Sequence, residues 1–247
     1  MTYLILVRHG ESRWNLDNKF TGWVDIPLSS NGIKEALISS KNIDYYHIDK
    51  AYTSKLVRAQ ETLLLILANQ EYTGVFLHSD KKKEKWYNHP KKLEANEIPI
   101  IASEKLNERC YGKLQGMNKD LARKKYGKDK VFIWRRSYDI PPPGGESLKD
   151  TFKRTVPYFK KEILPSLKKG NILVCAHGNS LRSIIKYIEN ISDEEITHLE
   201  LPTGVPIIFE YKRGKLTRKD NFNYNRPINW KNQKKLRLTK NKASKKR

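Results

Sequence analysis

The sequence predicts an α/β fold with a mostly parallel central sheet and helices on both faces. Three observations predict it. Short apolar runs without polar alternation, Thr2 to Val7 and Asn171 to Ala176, have the length and continuity of strands buried on both faces. Stretches with apolar residues three and four positions apart, such as Leu56, Ala59, Leu63 and Ile66, read as helices. The two kinds of segment alternate along the chain, as a parallel sheet with crossover helices requires.

Taken in order, Thr2 to Val7 is a buried strand that ends at a glycine-containing loop. Ile33, Ala36, Leu37 and Ser40 follow helical spacing after Ser-Asn-Gly. Ala51 to Ser54 is a second strand, and Ser54 is a candidate N-cap for the helix after it. From Gly74 to about Ile98 the pattern breaks into Lys, Asn, His and Pro, which reads as a surface insertion, placed at about 78–98. Pro99 to Ala102 resumes a strand. Asn118 to Ser137 is helical in composition and very basic. Pro141 to Gly145 is a stiff loop, followed by a long amphipathic helix from about Ser147 to Leu167, in which Pro157 and Pro165 predict a kink or an early end. Asn171 to Ala176 is a strand that again ends in His-Gly; Leu181, Ile184, Ile185 and Ile188 form a helix stripe, and Pro206 to Tyr211 a late strand.

The 247 residues suffice for a sizeable core, and one domain over 1–230 with a basic tail over 231–247 is the simplest organisation. The formal charge of +22 comes from 49 basic against 27 acidic residues. It is concentrated in the run Lys81 to Lys85 and after Trp230, where nine basic residues meet no acidic one. Such blocks are read as solvated segments rather than polyanion contacts, because no RRM, KH, zinc-finger or helix-turn-helix pattern accompanies them. No apolar stretch approaches a membrane span, and the run Leu4 to Val7 is too short for a secretory signal. Two cysteines, Cys110 and Cys175, predict no disulfide framework and a reducing compartment, with the cytoplasm as the default.

The chemistry concentrates in two strand-to-His-Gly junctions, Arg8-His9-Gly10-Glu11-Ser12 and His177-Gly178-Asn179-Ser180. In a parallel sheet both histidines project beyond the carboxyl ends of strands into one crevice, where helix N-termini suit an anion. Two histidines can also hold a metal, but Arg8 and Arg58 nearby repel a divalent ion and match phosphate oxygens. Cationic surroundings keep His9 neutral and nucleophilic, so that attack on a phosphate monoester gives phosphohistidine. The leaving hydroxyl needs a proton, and Glu108 in Leu106-Asn107-Glu108-Arg109 is the best candidate. The cluster Lys119, Arg135 and Arg136 is either an exposed basic helix face or a second anion site.

These motifs resemble the histidine phosphatase superfamily. Finer ones resemble its cofactor-dependent phosphoglycerate mutases: Asn18-Lys19-Phe20-Thr21-Gly22-Trp23, Leu106-Asn107-Glu108-Arg109 with Tyr111-Gly112, Ile133 to Asp139, and Leu201-Pro202-Thr203-Gly204-Val205-Pro206. The resemblance implies a phosphoglycerate mutase-like fold and catalytic residues His9, Glu108, His177, Arg8 and Arg58. It implies substrate binding by Ser12, Asn15, Thr21, Gly22, Tyr111, Lys119, Arg135, Arg136, Gly178 and Asn179. The implied activity is interconversion of 2- and 3-phosphoglycerate in glycolysis and gluconeogenesis, primed by 2,3-bisphosphoglycerate, with no metal. Partners are then small phosphoglycerates, not a membrane and not nucleic acid despite the tail; a homodimer is left open. Cys110 stands where many members have histidine, and Pro143 to Ser147 directly joins segments that the family often separates. The alternatives are a phosphatase on the same fold, with water as acceptor, and a polyanion-binding protein using the tail.

Overall fold

A computed structural model of the chain describes residues 1–78 and 92–219. Its core is a seven-stranded sheet ordered β3-β4-β2-β5-β1-β6-β7. The strands are β1 (Thr2–Arg8), β2 (Lys50–Thr53), β3 (Thr73–Phe76), β4 (Glu97–Ala102), β5 (Ile172–Ala176), β6 (Pro206–Lys212) and β7 (Lys215–Arg218). β1 pairs with β5 in parallel, as do β5 with β2, β2 with β4 and β4 with β3; the β1–β6 and β6–β7 pairs are antiparallel. The mostly parallel sheet expected from the apolar runs is present.

The two apolar runs become the central strands. Every residue of β5 is buried, and along β1 the side chains divide by strand alternation. Leu4 and Leu6 enter one core with Val174, Phe159, Leu181 and Ile184. Ile5 and Val7 enter another with Leu173, Cys175, Leu63 and Ile66. Each face is therefore covered by helices: α2 (Ser30–Asn42) and α3 (Val57–Ala68) on one side, α6 (Leu148–Tyr158) and α7 (Gly178–Glu189) on the other. A third core of Phe20, Leu114, Ala122, Val131 and Trp134 anchors α4 (Lys119–Tyr126) and α5 (Lys128–Arg136). Two single-turn helices, α1 (Arg13–Leu16) and α8 (Glu195–His198), complete the described elements used below.

Several local expectations change. Ser54 does not cap α3: the N-cap position is Leu56, and the Ser54 hydroxyl instead accepts the Leu56 N–H at 3.1 Å. Ile33 turns outward at 42% exposure, and α2 buries Gly32, Ala36, Ser39 and Ser40. Small residues there let the His9 loop come close: a Cβ on Gly10 would stand 2.3 Å from the Gly32 carbonyl oxygen. The basic stretch from Asn118 to Ser137 is two helices, broken at Gly127 with φ of 89°. The helix carrying Pro157 does not end there. It passes through a π-helical segment, Phe159–Ile163, into a last turn at Leu164–Ser166, a common way to absorb an interrupted hydrogen-bond ladder. Strand β3 and the start of β4 at Glu97 occupy the flanks of the stretch read as an insertion. The Lys81 to Lys85 run and the 231–247 tail lie outside the described residues.

Candidate active site

The β1/β5 register places the two histidines together. Arg8 pairs with Ala176, and the His9 N–H donates to the Ala176 carbonyl oxygen at 2.9 Å. The next residues, His9 and His177, leave the sheet side by side with ring centroids 4.9 Å apart. Both are buried, at 2% and 0% exposure.

Hydrogen bonding fixes the His9 tautomer. Nδ1 lies 2.6 Å from the Gly10 carbonyl oxygen, which can only accept, so Nδ1 carries the proton. Nε2 faces Nε of Arg58 at 3.3 Å, which can only donate. The neutral ring therefore presents an Nε2 lone pair. Burial first, then the positive charges of Arg58 and Arg8, hold its pKa well below the usual histidine value. His177 is held low by burial and by the same arginines. Its Nε2 meets the Ser54 hydroxyl at 2.8 Å, and its Nδ1 is buried without a partner.

Arg58 comes from the first turn of α3 and is fully buried. It is aimed by two carbonyl oxygens, Gly22 at 2.8 Å and Val24 at 3.0 Å. Burial lowers its pKa to about 10, and it stays a cation at neutral pH. The turn that offers those carbonyls needs Gly22, whose φ is 55° and whose Cβ would stand 2.1 Å from Gln115 Oε1. Arg8 is tied through Nη1 to the Leu201 carbonyl at 2.6 Å, and its Nε is buried and unpartnered. Thr21 Oγ1 is likewise a buried group without a partner.

Glu108 binds through one oxygen. Oε1 accepts from the Arg109 N–H at 2.8 Å, the Asn179 N–H at 3.1 Å and Asn179 Nδ2 at 2.8 Å. Burial pushes its pKa up, but these donors, with Arg8 and Arg58, outweigh it and hold the carboxyl below its ordinary value. Oε2 stands beside Gly178, 3.7 Å from where a Cβ would be, and Arg8 Nε flanks the same position at 3.6 Å. The loop carrying Glu108 is clamped by Arg154 of α6, which donates to the Asn107 and Glu108 carbonyls at 3.0 and 2.8 Å and pairs with Glu146 at 2.8 Å.

These groups open onto a cavity of about 140 Å³. Arg8, His9, Arg58 and Glu108 lie on it with Asn15, Thr21, Gly22, Gly178 and Asn179, and so do Tyr111, Lys119, Arg135 and Arg136 from the α4–α5 side. The basic face is therefore a second cationic wall, and burial lowers the pKa of Lys119 and Arg135. Two expected residues sit differently. Ser12 is fully buried off the cavity, where its hydroxyl caps α1 and pairs with Asn15. His177 is behind His9 rather than on the cavity wall. Sequence reasoning did not single out Lys19, Arg182 or Glu200, which also line it. Glu200 forms an ion pair with Arg136.

The match to known proteins follows this geometry. The profile of the histidine phosphatase superfamily (branch 1) matches residues 4–80 and 91–223. The chain belongs to the histidine phosphatase superfamily. Among similar sequences is a protein of Methanosarcina acetivorans named 2,3-bisphosphoglycerate-dependent phosphoglycerate mutase, 49% identical, with 89% of this chain and 96% of the relative covered. Proteins of the same name from Methanococcus vannielii and Chlamydia muridarum are 51% and 48% identical, covering 85% and 88% of this chain and 90% and 97% of the relatives. Similar solved structures include mycobacterial hydrolase 1 (TM-score 0.70, 16% identity, 89% and 98% covered) and Bacillus stearothermophilus YhfR (0.69, 21%, 90% and 96%). At those identities the structures speak for the histidine phosphatase fold alone. No helix among the described residues is long and apolar enough to cross a membrane.

Proposed function

We infer that this member of the histidine phosphatase superfamily interconverts 2-phosphoglycerate and 3-phosphoglycerate through a phosphohistidine at His9. The observation that carries the reading is the lone pair of His9 Nε2, held toward Arg58 on a cavity with a second cationic wall. Relatives at about half identity, named as mutases over nearly their whole length, support it. A substrate with a phosphate and a carboxylate has two anionic ends. Arg8 and Arg58 meet the transferring phosphoryl group, and Lys119, Arg135 and Arg136 meet the other end.

In one direction Nε2 of His9 attacks phosphorus, the N–P bond forms, the P–O ester bond breaks, and Glu108 gives its proton to the leaving oxygen. In the other, the substrate hydroxyl attacks phosphorus on His9 while Glu108 takes its proton. A phosphoryl dianion against Arg8 and Arg58 neutralises the charges that hold the Glu108 carboxyl low. Its proton affinity then rises in the state that needs an acid. The buried unpartnered Nε of Arg8 and the cations Lys119, Arg135 and Arg136 on the opposite wall suit a bisphosphorylated primer, 2,3-bisphosphoglycerate, which supplies the first phosphoryl group to His9. The enzyme is read as cytoplasmic, acting on small phosphoglycerates and needing no metal.

A coupled assay tests the reading. 2-Phosphoglycerate should form from 3-phosphoglycerate much faster than free phosphate appears, and an acid-labile adduct should form on the native chain but not on His9→Ala. Free phosphate appearing as fast as product would make the protein a phosphatase.

A further inference from the structure

Asn179 contacts Glu108 through its side-chain amide, and Arg182 contacts the opposite atom of the same amide. Asn179 Nδ2 donates to Glu108 Oε1 at 2.8 Å, and Arg182 Nη1 donates to Asn179 Oδ1 at 3.1 Å. All three side chains are buried, and Arg182 is only 7% exposed. We propose that Arg182 is a positioning residue that locks the Asn179 amide in one orientation and so keeps Glu108 held by Oε1 with Oε2 free for the proton it transfers.

The geometry leaves one solution. A guanidinium has no acceptor, so the amide atom facing Arg182 must be the oxygen. The NH₂ group then faces Glu108, where it favours the carboxylate. Without Arg182 the amide can rotate and present its oxygen to Glu108, which favours the protonated acid and brings no donor to Oε1. Arg182 is itself fixed one turn into α7, with Nη2 donating to the Ile196 carbonyl oxygen within the Glu195–His198 turn. The spacing of three along α7 puts Arg182 over Asn179.

Other charges around the relay do not replace it. Arg8 from β1 and Arg58 from α3 act on Glu108 through space, and Arg109 contributes its backbone N–H. Around Arg182 stand Arg109, Arg136, Glu200 and Tyr111. Among the described residues, Arg182 is the cation that donates a hydrogen bond to the Asn179 side chain. The role rests on Glu108 being the proton-transfer group of the proposed mutase, but its test does not need mutase activity.

The test is a ¹³C NMR titration of the Glu108 carboxyl, assigned by its loss in Glu108→Gln, in native protein, Arg182→Met, Arg182→Gln, Asn179→Ala and the double variant Asn179→Ala/Arg182→Met. The Glu108 midpoint should rise by about one pH unit in Arg182→Met, the size expected for losing one charge-assisted donor to a buried carboxylate. Arg182→Gln, which retains an amide donor, should recover part of the rise. In the Asn179→Ala background the Arg182→Met change should move the midpoint by less than a third of that amount. A midpoint unmoved in Arg182→Met overturns the proposal, as does a full further rise in the double variant, which would make Arg182 a through-space charge. If Arg182→Met does not fold, Arg182→Gln is compared with and without Asn179→Ala, and an equal effect in both backgrounds is again fatal. In assays of active protein, the acid limb of kcat/KM should move with the NMR midpoint.

Discussion

Arg58 Nε lies 3.3 Å from His9 Nε2 in a pair almost wholly removed from solvent. One atom can only donate, so the other must hold its lone pair. That relationship fixes His9 as the neutral tautomer with its lone pair on the atom that faces the arginines, and it also makes protonation of the ring costly.

Stability should therefore fall on mild acidification. An unfolded histidine titrates near 6.5, whereas His9 and His177 titrate well below that value in the fold. Between the two values the unfolded chain binds more protons, so the stabilising contribution is complete above about pH 6.5 and is lost as pH drops below it. Glu108, also held low, adds a loss in the same direction only below the ordinary carboxylate range. Calorimetric Tm should decline from pH 7.5 to 5, and less steeply in His177→Gln; an unchanged slope in that variant would contradict the assignment.

Arg58→Lys keeps a charge but cannot span His9 and the Gly22 and Val24 carbonyls together. Transfer of labelled phosphoryl to His9 should slow by roughly 10²–10³-fold, in line with loss of a preorganised donor to a charged transition state. A rapid-quench measurement of the adduct checks it. Loss below tenfold would mean that charge alone suffices.

Glu200 pairs with Arg136 on the cavity wall, so an anion that binds Arg136 must compete with a carboxylate. Glu200→Gln should lower KM for 3-phosphoglycerate about threefold, with kcat changing less, because the pair is half exposed and worth little by itself. An increase in KM would show that Glu200 helps to orient Arg136 instead.

Arg154→Met removes the donors that hold the Glu108 loop and leaves Glu146 with only the Cys110 N–H as a donor among those described. The pair is largely buried, at 14% and 21% exposure, so urea unfolding should show a loss of about 3 kcal/mol. In the surviving folded protein kcat should fall more than KM rises. A variant as stable and as active as the native chain would remove Arg154 from any part in holding Glu108.

Strands β1 and β5 were legible because residues buried on both faces leave an unbroken apolar run. The edge strand β3 was not, since three of its four residues are only half-buried and the fourth is exposed, which gives no periodic signal. The break at Gly127 and the π-helical passage after Pro157 depend on backbone geometry that composition does not encode. In the site, residue types and the His-Gly junctions pointed to His9, Arg8, Arg58 and Glu108. Ser12 stands at the motif position, and only the fold shows that its hydroxyl caps α1. Glu200 had no local signal, because its partner Arg136 belongs to a distant helix. Arg182 was readable in principle, three residues after Asn179, but looked like an ordinary helical arginine among apolar neighbours.

By itself the amino-acid sequence determined which segments become buried strands and amphipathic helices, and which chemical groups stand at the ends of the strands. Local patterns record how much of each residue is covered, and that is enough for elements and for candidate chemistry. They do not record which segment does the covering. Only the tertiary structure decided that β1 lies beside β5 in a register that sets His9 next to His177. The packing of α3 on the sheet brings Arg58 to Nε2, and the packing of α7 against the Glu108 loop brings Asn179 and Arg182 behind the carboxylate. Orientation of a lone pair or an amide depends on partners far apart in the chain, and those partners exist only once the sheet has formed.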